Sequence, residues 1–545
     1  MLRFVLVLHM LHPQEHPEWI HLGVLFLLPW LTYLELLIHP TAFQIDDLDG
    51  VKNFNGVLQK PLRWHHLFRW LRWHLGRIPN PDQLWEQKKQ PKYHQSSKAH
   101  HRFSVWMLSG VLLGLYGFLT PLVGAQTAFL ATALFGVHPI TAQVTAWMSG
   151  IGYLTGVFFT LIGLNFVLLT QTWPQSPYLI ILSFLIYAFL QWMAVEAMFV
   201  TVGSFLILLY LKQWPFAAIA GAIAIYGCLN TFREAVTLRV STFKSQQMGK
   251  TTKFYPRKLI FVIRLLAYNV RLALWPKRMG LYHTFGYHYT QPYVETEDGY
   301  FWAGIALIIG AIAAWLSGIF IIQLAILFWI AYTTMFGGWI IANQVVADRY
   351  VWLGTIGICL LAAAYLPLWL FCLFLGIALM RTWAHIPTYF TEMGYYLSNL
   401  WNFPKSEVAM GNLGVVYINQ GMIGSAVEAW ATGIRMNPHY DVNYYNLANI
   451  FRSRGFPNPY YLPLILGTPE SVIPVEVVQK AMKSPQTAHL QCARYLLDKA
   501  LNTATCHFPE NWKKELSELD RQLMTIVGNI VMPRYQAPLS PIPVT

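Results

Sequence analysis

Between Phe103 and Phe232 the chain carries two charged residues, Glu196 and Lys212, in 130 positions. A water-soluble fold of that size needs a charged surface, so this stretch dissolves only in lipid. Of the 545 residues, 55% are hydrophobic and 12% charged, against roughly 25% charged in an average soluble domain. Disordered, collagen-like and disulfide-framework classes are excluded on the same grounds. The expected fold class is all-α: a polytopic membrane helix bundle followed by a soluble helical domain.

Apolar segments of about 12 to 20 residues recur from His21–Ile38 to Leu366–Met380, among them Leu259–Trp275. They predict about 11 to 12 spans, several shorter than a perpendicular crossing needs. The expected division is a transmembrane domain over 1–380, a helical domain over 381–530 and a proline-rich tail over 531–545. Within 40–102, Pro61–Ile78 interleaves Leu62, Leu67, Leu71 and Leu75 with Arg63, Arg69, Arg72 and Arg77. Together with Trp64, Trp70 and Trp73, that pattern predicts an amphipathic helix lying in the membrane interface.

The net charge of +13 is local. Lys52–Arg102 and Arg233–Arg278 hold 22 of the 38 Lys and Arg residues. Basic clusters beside apolar spans point to the lipid bilayer, through anionic headgroups or phosphates, rather than to nucleic acid; they also mark cytoplasmic loops. Of the five cysteines, Cys492 and Cys506 lie in the tail and would pair in an oxidising compartment. No Cys/His spacing suits a metal, and His9, His12, His16 and His21 read as interfacial residues.

Ionisable groups at the edge of apolar spans are costly and carry a functional expectation. Asp46 and Asp47 follow the first span; paired carboxylates serve as general base or hold a divalent cation. His138-Pro139 breaks an apolar stretch, and Glu196 stands alone among apolar neighbours. Asp348-Arg349-Tyr350 reads as an internal ion pair at a helix start, with Arg349 suited to a phosphate.

Beyond Arg381 a different period sets in. Leu413-Gly414, Tyr417 and Gly421 are echoed 34 residues on by Leu447-Ala448, Phe451 and Gly455, with Trp430 and Asn437-Pro438 between. This matches the tetratricopeptide repeat, a helical binding surface. Thr388–Phe403 reads as a degenerate leading helix pair, and Tyr417, Trp430 and Tyr445 are the candidate contacts for protein partners.

Taken in order, these motifs resemble the transmembrane and tetratricopeptide-repeat O-mannosyltransferases and their bacterial relatives, glycosyltransferases of the GT-C fold. Phe43-Gln44-Ile45-Asp46-Asp47 fits the family's Phe-x-x-Asp-Asp. Lys60-Pro61-Leu62 stands at its Arg-Pro-Leu, and Tyr93-His94 with His100/His101 at its Tyr-His block. Phe135-Gly136-Val137-His138-Pro139, Ala146-Trp147, Ser149-Gly150 and Asp348-Arg349-Tyr350 follow. The resemblance implies inverting transfer of a sugar from a polyprenyl-phosphate carrier, with Asp46 or Asp47 as base. Lys60 and Arg349 would face the lipid phosphate, and His94, His138, Glu196 and Tyr350 would line the site. It also implies that both basic loops and the soluble domain are periplasmic or lumenal, against the charge rule.

Three positions depart from the family. Ala142-Gln143 replaces Thr-Glu, Ile151 replaces an Arg, and Val195-Glu196 replaces Lys-Glu. The expectation therefore divides between a glycosyltransferase with an altered site and a catalytically silent relative that serves as an assembly subunit. A transporter or channel has less in its favour, since no inverted repeat or charged pore pattern is visible.

Overall fold

The computed structural model describes residues 18–39, 91–147, 150–171, 177–193, 198–226, 256–280, 283, 286–287, 292–293, 298–333, 347–438, 440–454, 472–483, 487–502 and 509–528. Asp46, Asp47, Lys60, Glu196 and the Pro61–Ile78 segment fall outside these residues, as does the tail from 531. His94 lies on a described helix, but its side chain is outside the described set. The protein is helical, with one antiparallel pair of two-residue strands, β1 (Gly286–Tyr287) and β2 (Pro292–Tyr293), as the exception among the described residues.

The chain divides into two compact units, and among the described residues the first runs to Ser406 and the second from Glu407. The first unit begins with α1 (Glu18–Thr32), α2 (Leu34–Ile38) and α3 (Pro91–Val123). Then come α4 (Ala125–Val137), α5 (Pro139–Ala146), α6 (Ile151–Thr170), α7 (Pro177–Met193), α8 (Met198–Tyr210) and α9 (Trp214–Tyr226). After them follow α10 (Pro256–Leu274), α11 (Asp298–Leu316), α12 (Phe320–Thr333), α13 (Asp348–Val351), α14 (Thr355–Tyr365), α15 (Leu368–His385) and α16 (Glu392–Asn402).

A helix forms at every apolar segment read from the sequence. Among the described residues four are long and apolar enough to cross a membrane, or five if the bent pair α4–α5 is one span. The other apolar helices are shorter, as several of the expected 11 to 12 segments are by their own length. On α11, Ile309, Ile312 and Leu316 are 62%, 56% and 78% exposed, a surface that suits lipid and not water. The segment expected as the span Leu259–Trp275 is α10, an amphipathic helix with Arg264 and Arg271 along it that is not among the helices apolar enough to cross a membrane.

Local chemistry sets the breaks. Gly124 takes φ +85 between α3 and α4, a backbone that favours glycine. At the α4–α5 bend of 61°, Pro139 has no N–H to continue α4 but fits the first turn of α5. His138 caps α5 by accepting from the Ile140 N–H at 3.4 Å. The core behind it stacks Phe135 on Trp352 at 5.6 Å.

The first unit extends past the expected boundary at 380. Thr382 donates to the Val137 carbonyl at 2.7 Å, Trp383 to Thr32 at 3.1 Å, and Asn402 to Met279 at 2.9 Å. The segment Thr388–Phe403, expected to open the repeat domain, is thereby part of the first unit.

The second unit comprises α17 (Glu407–Asn419), α18 (Ile423–Met436), α19 (Asp441–Arg454), α20 (Val475–Met482), α21 (Ala488–Asn502) and α22 (Pro509–Gly528). Neighbouring helices pack around Trp430, Leu447, Phe451, Leu496 and Trp512. Trp430, expected to contact a partner, is instead a core residue, 3% exposed and donating its indole N–H to the Gly411 carbonyl at 2.8 Å. A side chain committed to the interior offers no surface to a partner. Tyr417 is half-buried against the same core. Tyr445 stacks on Trp512 at 4.6 Å and donates to Glu515 at 3.0 Å. Cys492 is a free, buried thiol rather than half of a disulfide, and burial pushes its pKa up to about 11.

Candidate functional site

Two polar clusters meet at α13. The first is built on Asp348, which is fully buried. Its Oδ1 accepts from His283 Nε2 at 2.9 Å and its Oδ2 from the Gly280 N–H at 3.0 Å. With Nε2 donating to the carboxylate, the imidazole keeps Nδ1 as an acceptor, and it receives the Tyr268 hydroxyl at 2.9 Å. The ring also packs on Phe403, 4.3 Å between centroids. A carboxylate that fixes an imidazole tautomer is a familiar device for moving a proton, and here it also pins the stretch after α10 to the start of α13. His283 had no motif in the sequence to mark it.

The second cluster is built on Arg349. The expected ion pair within Asp348-Arg349 is absent, because the carboxylate is spent on His283 and Gly280. The guanidinium lies over the rings of Trp147 and Tyr350, at 5.2 Å and 4.5 Å from their centroids. Its Nη2 donates to the Tyr350 hydroxyl at 3.0 Å, and Tyr153 of α6 is a further hydrogen-bond partner. Its Nη1 is buried with no hydrogen-bond partner among the described residues. Aromatic faces hold a guanidinium in place without neutralising it. The charge stays available.

Gln143 joins this cluster from α5. Its Oε1 accepts from the Arg349 backbone N–H at 2.7 Å, and its Nε2 is buried without a partner among the described residues. The Gln that stands where the resemblance calls for Glu therefore still supplies an acceptor oxygen, but with no charge. His138 takes the role of a structural bracket. Nδ1 caps α5, and Nε2 donates to the Ala273 carbonyl at 2.9 Å. Both ring nitrogens are used.

The first unit also holds a cavity of about 1110 Å³ lined by α10, α11, α12, α14 and, through Phe374, α15. Ile263, Leu266, Ile308, Ala311, Ile326 and Leu361 are among its almost wholly apolar walls. The helix α14, which forms one wall, begins four residues after α13 ends. Among the described residues no group of three or more His, Cys, Asp or Glu side chains could hold a metal ion.

Fold and site together define a helical protein with membrane-length apolar helices, a half-buried guanidinium that has no carboxylate partner among the described residues, and an apolar cavity in the same unit. No protein-family model, curated protein or solved structure matches the chain.

Proposed function

We propose that the first unit is a GT-C-like membrane domain that binds a polyprenyl-phosphate sugar and transfers the sugar to an acceptor hydroxyl. The observation that carries this reading is Arg349, a half-buried guanidinium held by aromatic rings, whose buried Nη1 has no hydrogen-bond partner among the described residues. The lipid chain is assigned to the apolar cavity of the same unit. Transfer needs a positive group where charge gathers on the leaving phosphate, and Arg349 supplies it. Asp46 or Asp47 takes the proton of the acceptor hydroxyl. The acceptor oxygen attacks the anomeric carbon opposite the phosphate, the bond from that carbon to the phosphate oxygen breaks, and the configuration inverts. The second unit is read as a tetratricopeptide-type domain that docks protein partners, on the non-cytoplasmic side.

A second reading, a silent relative acting as an assembly subunit, is favoured by one observation. The Gln143 oxygen is committed to the Arg349 backbone, and an amide supplies neither base nor charge. One assay separates the two readings. The full chain in nanodiscs is given a radiolabelled polyprenyl-phosphate sugar and compared with Asp46→Asn/Asp47→Asn. Turnover that disappears in the double variant supports the transferase. No turnover from a native chain that purifies with stable partners assigns it as a subunit.

A further inference from the structure

Three buried N–H groups around Arg349 have no acceptor among the described residues: Arg349 Nη1, Gln143 Nε2 and Trp147 Nε1. Buried polar groups are satisfied in the great majority of folded proteins, so three orphans in one locality call for an acceptor. The hydrogen bond from the Arg349 N–H to Gln143 Oε1 fixes the orientation of the amide, which leaves its NH2 as a donor. Gln143 and Trp147 lie one helical turn apart at the end of α5. The Trp147 ring is the one over which the guanidinium lies. The nearest carboxylate in sequence, Asp348, has both oxygens engaged elsewhere.

A donor set with a guanidinium and no free acceptor suits an anion rich in terminal oxygens. A phosphomonoester offers three such oxygens and about −1.5 to −2 of charge. The diester that links a lipid to a sugar offers two and a single charge. We propose that Gln143, Trp147 and Arg349 form a donor cradle selective for the lipid phosphomonoester, the leaving group of transfer, over the sugar-bearing diester. The inference rests on the reading of Arg349 as a lipid-phosphate residue. It adds Gln143 and Trp147 as the residues that set selectivity. A site that binds the departing phosphate more tightly than the intact donor favours the bond-breaking step.

The test is equilibrium binding to the full chain in nanodiscs, with a long-chain polyprenyl phosphate, the corresponding polyprenyl-phosphate sugar and inorganic phosphate as probes. The monoester lipid is expected to bind about tenfold or more tighter than the sugar-bearing lipid. Gln143→Glu keeps the acceptor for the Arg349 N–H but adds a negative charge beside the guanidinium. It is expected to lower monoester affinity about tenfold and erase the preference. Trp147→Phe keeps the ring and removes the indole N–H, with an expected loss of about three- to tenfold. Since Gln143→Glu can disturb folding, its melting temperature is measured alongside, and Trp147→Phe carries the test if it melts early. Native affinity and preference in both variants, with binding lost in Arg349→Ala, would overturn the cradle and leave the Arg349 reading standing. Native chain that binds neither lipid overturns both. Inorganic phosphate binding as tightly as the lipid would reassign the cradle to free phosphate and overturn the lipid claim.

Discussion

Asp348 and Arg349 are adjacent in the chain, yet their side chains serve different clusters. Burial forces the carboxylate to find partners, and it finds two, His283 Nε2 and the Gly280 N–H. Removing His283 leaves a buried carboxylate half-satisfied, so His283→Ala is expected to cost about 3–5 kcal/mol. Asp348→Asn keeps an acceptor oxygen for Gly280 and is expected to cost less, about 1–3 kcal/mol. Melting temperatures of the detergent-solubilised chain would rank them, and a reversed order would refute the clasp. The sequence marked Asp348 and Arg349 as unusual through their place among apolar segments. It left their partners open, because His283 lies 65 residues from Asp348 and Gln143 lies 206 from Arg349. Such pairings follow from which faces pack together.

Helices are where local sequence speaks most directly. The His138-Pro139 break was readable because proline stereochemistry acts within one turn, and α5 begins there. The repeat-like spacing in the second unit has a packing counterpart. Gly414 on α17 lies against the indole of Trp430 on α18, where a Cβ would collide with the ring. Gly414→Ala is expected to destabilise the unit by about 1–3 kcal/mol through overpacking, read as a lower melting temperature. An unchanged value would show that the indole can move aside. Between α19 and α21, burial first and the neighbouring Tyr495 second push the Tyr444 hydroxyl up to about 12 from 10.0. The folded unit favours the protonated phenol, so its stabilisation is intact below about pH 10 and is lost as pH rises toward about 12. Protease cleavage between Asp441 and Asn502 should rise over that window, and Tyr444→Phe should flatten the rise. A rise of equal size in the variant would assign the sensitivity to another group. Trp430 shows the limit of pattern reading: an aromatic at a repeat position is equally suited to a core and to a contact, and its indole N–H chose the Gly411 carbonyl.

The cavity belongs to the whole first unit, because five helices from three separate stretches of the sequence line it. Ala311→Phe and Ala362→Phe would fill it from α11 and α14. If a lipid chain lies there, each is expected to weaken binding of a long-chain polyprenyl phosphate about tenfold and to leave inorganic phosphate binding unchanged. Equal affinities for the long-chain lipid in native and filled chains would place the lipid elsewhere.

The poverty of charge between Phe103 and Phe232 was enough to specify apolar helices for a lipid surrounding, and glycine and proline were enough to specify breaks in them. These properties act along a few consecutive residues, so they survive in one dimension. The boundary between the two units moved from 380 to 406 once Thr382, Trp383 and Asn402 were seen donating into the first unit. The open cation at Arg349 and the apolar chamber likewise emerge only on packing. Desolvation decides which polar groups must pair and which are left to await a ligand, and it acts only after distant helices have met.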